Sequence, residues 1–124
     1  MKAKKILVFQ EYQTLNVLIE AILSEEGYKN VYTLENPNFV ISTYHDIQPD
    51  VFFCEIDLEY QLEMFIDLIL SEDREEVLSK FVCIISNGNI EMEKATQRLG
   101  VENFLKKPGF VIEDIRDMVN KRSK

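Results

Sequence analysis

Two hydrophobic patterns alternate along the chain. Short continuous apolar runs occupy Lys5–Phe9, Val31–Leu34, Val51–Ile56, Phe81–Ser86 and Asn103–Lys106. Runs without polar alternation predict strands covered on both faces, as in a parallel sheet. Between them, apolar residues recur at helical spacing. Leu15, Leu18, Ile19, Ile22 and Leu23 form one stripe, and Gly27 stands where a C-terminal cap belongs. Asn36-Pro37 reads as an N-cap with proline at the first helical position, after which Val40, Tyr44 and Ile47 face inward. Leu62, Phe65, Ile66, Ile69 and Leu70 form a third stripe; Met92, Ala95 and Leu99, closed by Gly100, form a fourth. Val111, Ile112, Ile115, Met118 and Val119 form the last.

Five strands alternating with five helices predict a doubly wound α/β fold, a single domain over residues 1–124. Right-handed crossovers place helices on both faces of the sheet. In such sheets a ligand site lies beyond the carboxyl ends of the strands. That rule selects Gln10, Glu11, Glu55, Ile56, Asp57, Ser86, Asn87, Lys107 and Pro108. Two carboxylates (Glu11 and Glu55), the Ser86 hydroxyl and the Lys107 ammonium end four of the strands. Carboxylates suit a hard divalent cation such as Mg²⁺, and a hydroxyl with an ammonium suits phosphoryl oxygens. A flavin or nucleotide site needs a glycine-rich turn after the first strand. The turn Gln10-Glu11-Tyr12-Gln13 is acidic and glycine-free, which argues against a flavodoxin-like cofactor binder.

Composition narrows the partners. A formal net charge of −8 disfavours direct nucleic-acid binding and an anionic membrane surface. No apolar run reaches bilayer-spanning length, and the four apolar residues Ile6–Phe9 after the basic start are too few for a signal-peptide core. The two cysteines, Cys54 and Cys83, lie inside apolar runs, as buried free thiols do, and a cytoplasmic location is expected. His45 is the single histidine, so histidine-based catalysis has little support, and a surface or partly packed position is expected. The stretch Glu72–Glu76 reads as a solvated helix end and loop.

The segment order and the phrases KKILVFQE, QPDVFFCEID, FVCIIS and RLGVENFLKKP resemble the receiver domains of two-component response regulators, from about Lys4 to Val119. The resemblance implies a flavodoxin-like sheet of strand order 2-1-3-4-5. It implies an acidic pair for Mg²⁺ at Gln10 and Glu11 and a phosphoacceptor at Glu55. It further implies phosphoryl-binding partners at Ser86 and Lys107 and a rotameric switch aromatic at Phe104. The phosphoryl donor it implies is a histidine kinase.

Three positions depart from the family pattern. Glu55 stands where the family has aspartate, and its carboxylate reaches about 1.5 Å farther. A displacement of about 1 Å can cost on the order of a hundredfold in a positioned transfer. A longer carboxylate can instead reach toward Ser86 and Lys107 and imitate a phosphoaspartate. Gln10 replaces one acidic metal ligand, so any Mg²⁺ site at Glu11, Glu55 and Asp57 is weakened or lost. Leu58-Glu59 and Leu62-Glu63 stand where the family has Met-Pro and Asp-Gly, predicting a reshaped loop or an early start to the third helix. The expected function is protein–protein signalling with a histidine kinase or a downstream signalling protein, without efficient phosphorylation and without enzymatic activity. The alternative is a working receiver that accepts phosphate on Glu55, or on Asp57 through a two-residue slip that requires a bulge or a longer third strand.

Overall fold

The computed structural model describes residues 2–107, 109 and 112–121. The readings placed on Pro108, Val111, the side chain of Ile112 and the end of the tail lie outside the described residues and side chains. Strands β1 (Lys2–Phe9), β2 (Tyr28–Leu34), β3 (Val51–Glu55), β4 (Phe81–Ser86) and β5 (Phe104–Lys107) form one sheet in the order β2-β1-β3-β4-β5. Every neighbouring pair is parallel. This is the doubly wound sheet that the continuous apolar runs predict.

Burial on both faces explains the runs of β1, β3 and β4, whereas the edge strands β2 and β5 are largely half-buried or exposed. Along β3 all five residues are buried, with Phe52 and Cys54 on one side and Val51 and Phe53 on the other. Helices α1 (Gln13–Glu25) and α6 (Ile112–Lys121) cover the second side through Ile19, Leu23, Ile115 and Val119. The first side is covered by α2 (Val40–Ile47), α3 (Glu59–Ser71) and α4 (Arg74–Lys80), with α5 (Ile90–Arg98) packed at its margin through Met92. Phe81 anchors that side, with Phe65 at 4.4 Å and Phe52 at 5.4 Å between ring centroids. Cys54 and Cys83 are register partners on β3 and β4, both free and buried. Burial raises both thiol pKa values well above the ordinary range, which suits packing rather than redox chemistry.

The described residues hold six α-helices rather than the five expected. The extra one is α4, hidden by its charge. Asp73 caps it by accepting a hydrogen bond from the Glu76 N–H at 3.2 Å, Glu75 and Glu76 sit in its first turn, and Val77 is buried beneath it. A stretch that reads as solvated is therefore a capped helix whose acidic residues suit the positive end of its dipole. Two smaller differences concern helix ends. Asn36-Pro37 opens a short 3₁₀ turn, Pro37–Phe39, before α2 begins. Leu70 is 79% exposed because the inward face of α3 is Met64, Phe65, Leu68 and Ile69, and Leu70 lies beyond it.

Among the described residues, no helix is long and apolar enough to cross a membrane. Phe81→Ala removes both ring contacts and leaves a cavity, so it should lower the stability by about 3–5 kcal/mol in urea denaturation. A loss under about 1 kcal/mol would show that this core collapses around the vacancy.

Candidate functional site

Strand register decides which side chains meet at the rim. Ser86 on β4 pairs with Lys107 on β5, and Glu55 on β3 pairs with Ile84. Glu55 thus lies two residues short of Ser86. The chain continues alongside β4 past the end of β3, with the Ile56 N–H donating to the Ile84 carbonyl at 3.0 Å. Two residues further on, Asp57 lies level with Ser86 and Lys107.

The contacts follow that register. Asp57 Oδ1 accepts from the Ser86 N–H at 2.7 Å and from Asn89 Nδ2 at 3.1 Å. Asp57 Oδ2 accepts from Ser86 Oγ at 2.8 Å and lies 3.1 Å from Lys107 Nζ. Lys107 Nζ also donates to Glu55 Oε2, so one ammonium serves two carboxylates. The other oxygen of Glu55, Oε1, accepts from the Glu11 N–H at 3.1 Å and from Gln61 Nε2 at 3.2 Å. The expected reach of Glu55 is thus realised toward Lys107, while the Ser86 hydroxyl is bound by Asp57. β3 pairs with β4 without a register shift, so Asp57 attains this position from the loop with neither a bulge nor a longer strand.

Gln61 closes the rebuilt loop. Its Oε1 accepts from the N–H groups of Asp57 at 2.7 Å and Leu58 at 3.0 Å, and its Nε2 donates to Glu11 Oε2 at 2.8 Å as well as to Glu55. These bonds fix the entry to α3, which starts at Glu59, four residues after Glu55 at the end of β3. The Glu11 carboxylate also accepts from the Tyr60 hydroxyl. That bond, then burial and nearby carboxylates, push the Tyr60 phenol up to about 12.

Of the sequence-selected residues, Glu11, Glu55, Asp57, Ser86 and Lys107 line one cleft of about 300 Å³ together with Tyr12, Leu58, Tyr60 and Gln61. Gln10 is fully buried and turns to α1, where its Nε2 donates to Asn16 Oδ1 at 3.4 Å. Phe104 is half-buried against the core and lines a separate cleft with Asn87 and Lys106. His45 is exposed and bonds Glu72 at 3.1 Å. Asn89 and Gln61 were not among the residues selected by strand ends. Asn89 had a signal, since the Asn87-Gly88-Asn89 turn before Ile90 is a helix start, and its Oδ1 caps α5 by accepting from the Met92 N–H. Gln61 had none, because it falls on what reads as the polar face of α3.

The three carboxylates expected to hold Mg²⁺ point at protein donors. Among the described residues, no group of three or more His, Cys, Asp or Glu side chains is arranged to hold a metal ion. Burial opposes ionisation of Asp57, but the hydrogen bonds from the Ser86 N–H, Asn89, the Ser86 hydroxyl and Lys107 outweigh it and lower its pKa. For Lys107, burial disfavours the charge, and the hydrogen bonds and attraction of Glu55 and Asp57 reverse that and raise its pKa.

The fold that carries this rim is shared with solved structures. No family model matches the sequence, and no curated protein matches it. Among solved structures, the receiver domain of NtrX from Brucella abortus superposes with a TM-score of 0.79 at 23% identity, covering 95% of this chain and 97% of that one. The chemotaxis protein CheY4 from Vibrio cholerae gives 0.78 at 14% identity, covering 97% and 98%. NtrX from the same Brucella species in complex with ADP gives 0.80 at 23% identity, and this chain spans 27% of its length. The chain has the receiver fold of response regulators.

The lowered pKa of Asp57 sets the sign of a pH effect. A carboxylate with a depressed folded-state value contributes stability that is present above its ordinary value of 3.8 and lost as pH falls through the lowered one. The stability advantage of the wild type over Asp57→Asn should therefore be full near neutrality and shrink on acidification, as measured by urea denaturation between about pH 2 and pH 7. A difference that stays constant across this range would contradict the ionised, hydrogen-bonded state of Asp57.

Proposed function

We propose that the protein is a receiver-like signalling module that acts through protein–protein contacts and does not undergo efficient phosphoryl transfer. One observation carries this reading: the Lys107 ammonium is committed to Glu55 and Asp57, and the Ser86 hydroxyl and N–H are committed to Asp57. An incoming phosphoryl group needs those same donors to offset its charge. With Gln10 neutral and turned away, and Glu11 Oε2 bonded to Tyr60 and Gln61, the positions implied for the acidic pair are poorly disposed to hold Mg²⁺. The likeness to receiver folds supports a two-component or phosphorelay setting, with a histidine kinase or a downstream signalling protein as partner. On this reading the domain is not an enzyme and works in the cytoplasm. Its net charge of −8 favours protein partners over nucleic acid or an anionic membrane.

A second reading keeps the chemistry and places it on Asp57. Its side chain is 14% exposed against 3% for Glu55, so it is the more accessible carboxylate. Intact-mass measurement after incubation with acetyl phosphate and Mg²⁺ separates the two. The favoured reading predicts no phosphate adduct on the wild type. An adduct mapped to Asp57 or Glu55 would overturn it in favour of a working receiver.

A further inference from the structure

The carboxylate of Asp57 meets four donors from three parts of the chain. These are the N–H and hydroxyl of Ser86 at the end of β4, the amide of Asn89 at the start of α5, and the ammonium of Lys107 at the end of β5. Both carboxylate oxygens are engaged twice. Two charged side chains with 14% and 16% exposure lie in this contact, so solvent supplies little of their stabilisation. Asn89 Nδ2 also donates to the Asp57 backbone carbonyl at 3.1 Å, which ties the turn after β4 to the loop after β3. A donor set of this kind, with backbone N–H, hydroxyl, amide and ammonium converging on one anionic group, is what recognition of a free oxyanion requires. The group that fills it is covalently part of the chain, and tethering gives it an effective concentration that a dissolved anion does not match.

We propose that the donors of Ser86, Asn89 and Lys107 form an oxyanion cradle whose resident ligand is the chain's own Asp57 carboxylate. As an internal ligand, Asp57 excludes external anions and holds the Ser86–Asn89 turn in one conformation. The proposal rests on the reading of the rim as a pocket that does not transfer phosphate, and it names how that pocket is held shut. Removing the carboxylate should leave an open site for a small oxyanion, with the turn restored when the site is filled.

The test uses Asp57→Ala and NMR of the Ser86 and Asn89 amide groups, titrated with inorganic phosphate and separately with acetate. Sodium chloride at matched ionic strength controls for screening. The variant should move the Ser86 amide proton upfield through loss of its charge-assisted bond. Phosphate or acetate should return it saturably, with an affinity at least about tenfold tighter than any response of the wild type. Addition of Ser86→Ala to Asp57→Ala should abolish the effect. If Asp57→Ala does not fold, Asp57→Asn keeps the side-chain volume, and its neutral amide should be displaced by phosphate where the wild type is silent. A folded variant with no saturable response to either anion would overturn the proposal. So would a wild type whose Ser86 amide titrates with phosphate as tightly as the variant's, because its cradle would then be open. These anions transfer no phosphoryl group, so failure here is distinct from an adduct formed with acetyl phosphate.

Discussion

One ammonium shared between two carboxylates organises the rim of this protein. Lys107 bonds Glu55 and lies 3.1 Å from Asp57, and the side chains of all three are largely withdrawn from water. A carboxylate placed there without a partner would lose its hydration for nothing, and so would the lysine. The remaining oxygens are satisfied by backbone and amide donors, so the pair of acids is tolerated through bonding rather than through solvent. The entry to α3, the turn before α5 and the end of β5 are all tied to this contact. The longer acid at position 55 fits the same scheme: it reaches the lysine from the end of β3, while Asp57 takes the serine.

The sheet makes that arrangement possible. Apolar burial on both faces of the three central strands supports one register across the parallel sheet, and register fixes which residues stand level at the rim. Because Glu55 pairs with Ile84 and Ser86 pairs with Lys107, the position level with Ser86 on the third strand's path is residue 57. The hydrophobic core and the polar cluster are thus two consequences of one pattern. Here the loop after β3 delivers a carboxylate to the donors of Ser86, Asn89 and Lys107.

Much of the fold was legible because strand runs such as VFFCEI and FVCIIS carry a strong, unbroken apolar signal. The site was legible as a set of strand ends, and Glu11, Glu55, Asp57, Ser86 and Lys107 do share one cleft. The pairings inside that set were harder to read. The resemblance puts the acceptor at Glu55, which draws attention from Asp57, yet a side chain two residues on is the one that meets Ser86. Gln61 looks like an ordinary polar-face residue of α3 and becomes buried only because the loop folds over it. The helix α4 was masked by its acids, whose favourable place at a capped N-terminus is a local effect that average charge does not reveal. Sequence periodicity reports burial of faces; it does not report which of two nearby acids a loop turns inward.

The charge state of Lys107 tests the shared-ammonium account most directly. Burial by itself disfavours the charged lysine, and Glu55 and Asp57 reverse that preference, raising its pKa above the ordinary 10.5. The measurement is an NMR titration of the Lys107 side-chain nitrogen and its adjacent methylene in the wild type and in the double variant Glu55→Gln, Asp57→Asn. The wild-type lysine should titrate above 10.5 and the double variant's below it, since desolvation then acts without its two counter-charges. A lysine that titrates at the same pH in both proteins would contradict it.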